Sequence, residues 1–289
     1  MEKKGFQISG WLVFFELCLI LLSGVCVGII AHKLPVSENI SSCIIQLFTF
    51  IPIGVGAIFL KKIYNEKTKD LLGLRGFDIT MLLFFLVLPY FAQNFALIAA
   101  APANYVLSEL FGSPENVSIP QNVPDFLWLL LSVCILAPVT EELLFRGVIM
   151  KLLSPFGIVT AVVVSSVMFS LLHVSPAGII VFFAMGVVLG IVRYVSGSVV
   201  ACVAVHAISN FYSVIETVFY NQIEAMDNIY VIFALISAIL FIPIILLYKK
   251  IYPQEEHYQK TQYVMGISVG FILTLFIFMI SSVLMIFMR

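Results

Sequence analysis

Apolar runs of about 20 residues recur along the chain, and they constrain its fold more than any other feature. A helix needs roughly 20 apolar residues to cross the hydrocarbon core of a bilayer. Of the 289 residues, 62% are hydrophobic and 11% are charged, whereas a soluble domain carries about 25% charged residues. The sequence therefore predicts an integral membrane protein of the all-α class, a polytopic transmembrane helical bundle of eight or nine spans.

The predicted spans divide the chain into three parts. An N-terminal part, 1–125, contains three spans, a core, 126–220, contains four, and a C-terminal part, 221–289, contains two. We find no large soluble domain, repeat or low-complexity segment between them. The nine spans are placed at 8–31, 40–60, 79–101, 126–145, 158–174, 177–192, 198–220, 229–247 and 263–288.

The basic residues predict the orientation, since loops rich in Lys and Arg face the cytoplasm. With the N-terminus in the cytoplasm and nine spans, 13 of the 15 Lys and Arg residues lie on the cytoplasmic side. The N-terminal apolar stretch is followed by no cleavage site, so we expect it to remain as the first span. The net charge of −1 argues against a nucleic-acid partner.

Two adjacent carboxylates and an arginine interrupt this apolar background. Glu141 and Glu142 follow the apolar run 126–139, and Arg146 lies four residues after Glu142, on the same helical face. Ionisable groups at membrane depth are costly and are functional candidates. The alternative is a helix end at the lipid–water boundary, where acid and base pair for solubility.

Two further polar pairs lie in apolar segments downstream. His173 follows Phe169 by four residues, and Asn210 follows His206 by four, so each pair shares a helical face. The other two histidines, at 32 and 257, lie in predicted loops. Three helices therefore each contribute a polar face, and we expect an active site inside the bundle.

This set of side chains suits hydrolysis by either of two routes. A glutamate can take a proton from water, with a histidine orienting that water or passing the proton on, while a second histidine and an amide stabilise the oxyanion. Alternatively, Glu141, His173 and His206 could bind Zn²⁺ with water as the fourth ligand. The HExxH signature of helix-borne zinc sites is absent, and the five cysteines form no CxxC pair. No motif places a Ser or Cys nucleophile beside a histidine.

The motifs EExxFR, FxxxH and HxxxN, in this order on successive predicted helices, resemble those of the CAAX-protease and bacteriocin-processing family. Its members include the type II CAAX prenyl endopeptidases. The resemblance covers Glu141 to Asn210. It implies an intramembrane endopeptidase in which Glu141 and His173 activate water, while His206 and Asn210 form the oxyanion site.

The remaining motif residues receive less defined roles from the resemblance. Glu142 is included among the catalytic residues, where it orients Glu141 or holds the substrate. Arg146, Phe145 and Phe169 are expected to support the substrate or the structure. For the family we favour a metal-independent glutamate mechanism, with Zn²⁺ as the conditional cofactor.

The predicted spans leave one geometric conflict. They place Glu141 near the cytoplasmic boundary and His173 near the outer end of its helix, so that much of the bilayer separates them. The two can meet only if the fourth helix continues beyond 145, or if the segment 152–157 enters the membrane. Pro155 and Gly157 make a break there plausible.

The expected partners are the lipid bilayer and a membrane-associated peptide substrate. The resemblance implies a lipidated substrate or a pheromone or bacteriocin precursor. The short chain and its Lys- and Asn-rich loops favour a bacterial cell membrane. A non-catalytic membrane scaffold or a bacteriocin self-immunity protein is the alternative, because a satisfied polar network can rigidify a bundle without catalysis. A transporter would favour an inverted repeat, which the sequence lacks.

Overall fold

The protein is described by a computed structural model that covers residues 4–33, 37–76, 79–111, 119–223 and 268–287, with isolated residues between 232 and 247. No strand occurs in these residues. The helices are α1 (Gly5–Lys33), α2 (Glu38–Phe48), α3 (Phe50–Tyr64), α4 (Thr68–Leu71), α5 (Ile79–Phe111), α6 (Val123–Leu129), π1 (Leu130–Leu136), α7 (Ala137–Glu142), π2 (Leu143–Ile149), α8 (Met150–Leu153), α9 (Ile158–Leu172), α10 (Ile179–Ser196), α11 (Val199–Ile223) and α12 (Val269–Phe287).

The all-α membrane fold predicted from the sequence is confirmed. Five helical segments of the described chain are long and apolar enough to cross a membrane, and shorter apolar helices accompany them. The count of eight or nine spans stays a prediction, and the predicted span 229–247 lies mostly outside the described residues. The five segments are Gly5–Ile30, Glu38–Tyr64, Val123–Phe156, Ile179–Ser196 and Val199–Val218.

The second predicted span, 40–60, is two helices instead of one. α2 ends at Phe48 and α3 begins at Phe50, and Thr49 lies between them. Pro52 explains the break, because its ring would clash with the carbonyl of Phe48 in a continuous helix and it has no N–H to donate there. The Thr49 hydroxyl instead donates to the carbonyl of Gln46 over 2.6 Å.

Small residues bring two pairs of helices into close contact. A Cβ at Gly186 of α10 would lie 2.9 Å from the Cβ of Ser166 in α9, and one at Gly190 would meet Val162 at the same distance. A Cβ at Gly270 of α12 would lie 2.5 Å from the backbone nitrogen of Trp11 in α1. Glycine at these positions allows the helices to approach, as it does in membrane proteins generally.

The fourth predicted span, 126–145, ends too early. The helical chain runs without interruption from α6 to a final 3₁₀ turn, Ser154–Phe156, and we call this whole segment, Val123–Phe156, the site helix. Its charges do not end the span, because Glu142 and Arg146 pair with each other inside the bundle and are both 0% exposed. Arg146 counts among the 13 Lys and Arg residues predicted on the cytoplasmic side, whereas the residue lies buried within the site helix.

A turn at Gly157 resolves the conflict over the depth of the two motifs. Gly157 has φ 94° and ψ 155°, a backbone conformation available essentially to glycine alone. After it, α9 runs back along the site helix and contacts α8 and π2. Glu141 lies 16 residues before Gly157 and His173 lies 16 residues after it. The hairpin therefore brings both residues to the same depth, and the predicted placement at opposite ends was wrong.

Candidate active site

The site helix has two π-helical segments, one on each side of the α7 turns that carry the glutamates. In π1 the backbone N–H of Ala137 bonds to the carbonyl of Ser132, five residues earlier. The next carbonyl in this pattern, that of Val133, would need the N–H of residue 138, but Pro138 has none. The side-chain amide of Asn210 donates to the Val133 carbonyl over 2.8 Å instead.

This bond fixes Asn210 of α11 against the site helix. An amide nitrogen carries two N–H groups, so the bond to Val133 occupies one and leaves the second. Asn210 and His206 lie four residues apart on α11, on one helical face. The contact of Asn210 with π1 therefore also sets where His206 meets the glutamates.

Glu142 is the centre of a buried ionic network. Its Oε1 accepts from Nη1 of Arg146 over 2.8 Å and from Nδ1 of His206 over 2.9 Å. Glu142 and Arg146 are both fully buried, so these bonds form away from bulk water, where unpaired charges are very costly. Because Nδ1 of His206 faces Glu142, its Nε2 faces the other glutamate.

The guanidinium of Arg146 is held by hydrogen bonds from both Nη atoms and by two aromatic rings, while its Nε has no hydrogen-bond partner. Its Nη2 donates to the carbonyl of Gly186 in α10 over 2.9 Å. Its Cζ lies 4.7 Å from the ring centroid of Phe169 and 5.9 Å from that of Phe145, distances typical of cation–π contacts. Phe145 and Phe169 are 0% and 2% exposed, so in this structure they support Arg146 from within the core.

His173 follows directly after the end of α9. Its Nδ1 lies 3.0 Å from the carbonyl oxygen of Phe169, which can only accept, so we infer that Nδ1 carries the proton. Its ring stacks on Phe182 of α10, with centroids 3.9 Å apart and planes at 19°. The next residue, Val174, has φ 48°, which is rare for a β-branched side chain. The bond to Phe169 uses Nδ1 and therefore leaves Nε2 of His173 available to another group.

Glu141 differs from Glu142 in that it remains accessible. Its side chain is 22% exposed, and its Oε2 lies 3.9 Å from Nε2 of His206, too far for a hydrogen bond. That oxygen is buried and has no hydrogen-bond partner. His173 is within electrostatic range of Glu141. Glu141 is therefore a carboxylate beside two histidines with an oxygen available to a ligand.

The structure thus brings together the residues of all three motifs. The polar groups of Glu141, Glu142, Arg146 and His206 form one cluster, and the ring of Phe169 lies 4.8 Å from that of His173 and 6.0 Å from that of His206. Their separate roles in catalysis are not tested by this geometry and stay predictions.

The same contacts bear on the residues predicted to bind Zn²⁺. In the described part of the chain no three His, Cys, Asp or Glu side chains come together as metal ligands. Oε1 of Glu142 and Nδ1 of both histidines are already engaged with protein groups. The conditional Zn²⁺ ligands Glu141, His173 and His206 stay a prediction.

The sequence analysis missed one acidic residue near the site. Glu16 lies within α1 and is 4% exposed, and its Oε2 has no hydrogen-bond partner. Its carboxylate is within electrostatic range of that of Glu141. The signal was present in the sequence, because Glu16 is the only acidic residue in the apolar segment Gly5–Ile30.

Comparison with known proteins finds a family model that matches the segment carrying the site. Residues 123–212 of the 289 match the family model described as type II CAAX prenyl endopeptidase Rce1-like. The match confirms the family resemblance inferred from the three motifs. It overlaps the predicted core, 126–220, but the division of the chain into three parts stays a prediction. No curated protein and no solved structure matches the chain.

Proposed function

We propose that this chain, in which residues 123–212 form an Rce1-like domain, is an intramembrane endopeptidase that cuts a membrane-associated peptide. One observation carries the proposal: Glu141 has a buried carboxylate oxygen with no partner, 3.9 Å from Nε2 of His206. Buried acceptors are normally hydrogen-bonded, and exceptions often mark catalytic positions. A general base for water needs such an oxygen.

In the proposed reaction, Glu141 accepts a proton from a water molecule as the water oxygen attacks the carbonyl carbon of the scissile peptide. His173 then takes this proton from Glu141 through its free Nε2 and passes it on. The resulting tetrahedral intermediate carries a negative oxygen. When it collapses, the C–N bond breaks and the proton passes to the leaving nitrogen, which gives a carboxylic acid and an amine.

The oxyanion is stabilised by His206 and Asn210. Protonated Nε2 of His206 and the second N–H of Asn210 are the donors of the proposed oxyanion site. Glu142 holds the His206 ring through Nδ1, and Arg146 holds Glu142. In this proposal Glu142 acts on His206 and does not contact the substrate. A donor of this kind contributes about 10²–10³ in kcat in other hydrolases.

The scaffold alternative fits the buried part of the network but not Glu141. A polar network that only rigidifies a bundle is expected to satisfy its members, because each unpaired buried group is destabilising. Arg146, Glu142, His206 and Asn210 all have partners. Oε2 of Glu142 and Nε of Arg146 also lack a partner, but both side chains are fully buried. Glu141 is the member that is both unpaired and accessible, with 22% of its side chain exposed, as a catalytic base requires.

The substrate class proposed first is a prenylated CAAX peptide, because the matching family is named for that activity. Pheromone and bacteriocin precursors remain further candidates for the substrate. A bacterial cell membrane is the proposed location. We also propose a cytoplasmic N-terminus, supported by the basic residues Lys61, Lys62, Lys67 and Lys69 around α3 and α4.

The test compares purified wild-type protein with Glu141→Gln in detergent, each incubated with a prenylated CAAX peptide, and detects products by mass spectrometry. We expect cleavage by the wild type and a loss of at least about 100-fold in kcat for the variant. Glu66→Gln, the same substitution at an exposed loop position, is the control and should keep full activity.

A chelator arm separates the two hydrolytic routes. Activity that survives prolonged incubation with chelator supports the metal-independent glutamate mechanism. Activity that is lost with chelator and restored by Zn²⁺ would contradict it and favour the zinc set of Glu141, His173 and His206. Wild type and Glu141→Gln cleaving equally would refute the role of Glu141.

A further inference from the structure

α1 carries a buried carboxylate that none of the three motifs explains. Glu16 is surrounded by apolar residues in sequence, and its side chain is 4% exposed. A carboxylate at membrane depth costs several kcal/mol or more and marks a functional position. In the described residues it forms no ion pair, because Arg146 is paired with Glu142.

The packing of α1 directs this side chain to the active site. Val13 lies three residues before Glu16, on the same helical face, and belongs to the buried cluster that contains Phe145 and Phe169. Those two rings pack against Arg146 directly after the glutamates of the site helix. α1 also contacts α8 and α9. Glu16 therefore lies one helical turn along α1 from the core beneath the site.

Glu16 and Glu141 each have a carboxyl oxygen that lacks a hydrogen-bond donor. Each has a buried Oε2 without a hydrogen-bond partner, and the two carboxylates are within electrostatic range of each other. Two carboxyl groups that share a low-dielectric site destabilise each other when both are charged, so a proton or a hydrogen-bond donor is held between them. A water molecule has two O–H donors, one for each oxygen, and keeps its lone pairs for other contacts.

We propose that Glu16 is a further catalytic residue, which binds the attacking water together with Glu141 so that each carboxylate accepts one of its O–H groups. This inference rests on the proposed peptidase function. Glu141 takes the proton, and Glu16 holds the second O–H group, which directs the water's lone pair toward the peptide carbonyl. In this proposal α1 contributes one side of the water-binding site, and it lies outside the segment 123–212 that matches the family.

The test uses Glu16→Gln and Glu16→Leu in the full chain, with prenylated CAAX peptide as the probe. Gln keeps a carbonyl acceptor for water and Leu has none. We expect kcat to fall at least about tenfold in Glu16→Leu and by less in Glu16→Gln, with KM unchanged in both. Ser9→Ala is the matched control, because Ser9 is a buried polar residue of α1 whose hydroxyl also has no partner.

Thermal unfolding excludes a merely structural role. Removing a buried carboxyl group whose oxygen has no protein partner should raise the Tm of Glu16→Leu, so the variant should be more stable and less active at once. The gain in Tm should shrink in a Glu141→Gln background, since the interaction between the two acidic groups is then already gone. A lower Tm together with the lower kcat would overturn the inference.

The outcomes also separate this inference from the proposed function. If Glu141→Gln is inactive while Glu16→Leu keeps the wild-type kcat, the peptidase stands and the role of Glu16 is refuted. If the wild type cleaves no peptide, both fail. An additive Tm effect of the Glu16 and Glu141 substitutions would contradict the pairing of the two carboxylates whatever the activity.

Discussion

Arg146 offers the sharpest perturbation of the site, because it can be replaced without touching the proposed catalytic groups. Arg146→Met keeps most of the side-chain volume within the ring contacts of Phe145 and Phe169. It removes the bond to Glu142 at 2.8 Å and the bond to the carbonyl of Gly186 at 2.9 Å. Glu142 then remains as a buried carboxylate whose partner is His206.

The magnitude follows from the burial of the pair. Both side chains are 0% exposed, and removing one partner of such a pair costs about 3–5 kcal/mol, because it leaves an uncompensated buried charge. We expect Arg146→Met to lower the free energy of unfolding by about 4 kcal/mol. This corresponds to a fall in Tm of roughly 10 °C for a chain of this size.

The double variant Glu142→Gln with Arg146→Met distinguishes a buried charge from lost packing. It removes both charges, so it should recover at least about 2 kcal/mol relative to Arg146→Met. Peptidase activity should stay low in the double variant despite its recovered stability, because His206 loses the carboxylate that accepts from its Nδ1.

The assay is thermal unfolding in detergent micelles, followed by tryptophan fluorescence, with cleavage measured on the same preparations. Lys151→Met, a cation of the same helix that contacts the ring of Tyr64 at 4.7 Å, is the control and should cost about 1 kcal/mol or less. The reasoning is refuted if Arg146→Met unfolds like the wild type, or if the double variant is no more stable than Arg146→Met alone.

Two further predictions concern the backbone around the site. Asn210→Ala should lower the free energy of unfolding by about 1–3 kcal/mol, since the Val133 carbonyl loses its donor. In a Pro138→Ala background residue 138 regains an N–H, so the same substitution should cost less. Equal losses of Tm in the two backgrounds would contradict this account. Val174→Gly should be about 1 kcal/mol more stable than Val174→Ala. Both substitutions shorten the side chain, but only glycine relieves the left-handed φ of 48°. A higher Tm for the alanine variant would argue against strain at this position.

The sequence predicted the membrane class and the meeting of three motifs for sound physical reasons. Long apolar runs have few alternatives to membrane helices. His173, His206 and the glutamates each carry a polar group that hydrocarbon does not tolerate, so their convergence inside the bundle followed. The sequence did not reveal that Glu142, rather than Glu141, accepts from Arg146 and from Nδ1 of His206, because both glutamates fit the same helical spacing.

The errors arose where local pattern and tertiary packing disagree. Charges at Glu142 and Arg146 looked like the end of a span, but they neutralise each other in the core and the site helix continues to Phe156. The break at Thr49 was concealed by an apolar run, although Pro52 was a signal for it. The π-helical segments have no sequence pattern of their own, and only Pro138 hints at the free Val133 carbonyl.

The central claim is that Glu141 is the base of a peptidase, and its most direct test is single-turnover cleavage of a prenylated CAAX peptide. Wild-type protein and Glu141→Gln are compared at enzyme excess, with binding of the peptide measured separately. The account predicts that both proteins bind the peptide and that only the wild type cuts it at an appreciable rate. Equal cleavage by the two proteins, or binding without cleavage by either, would contradict it.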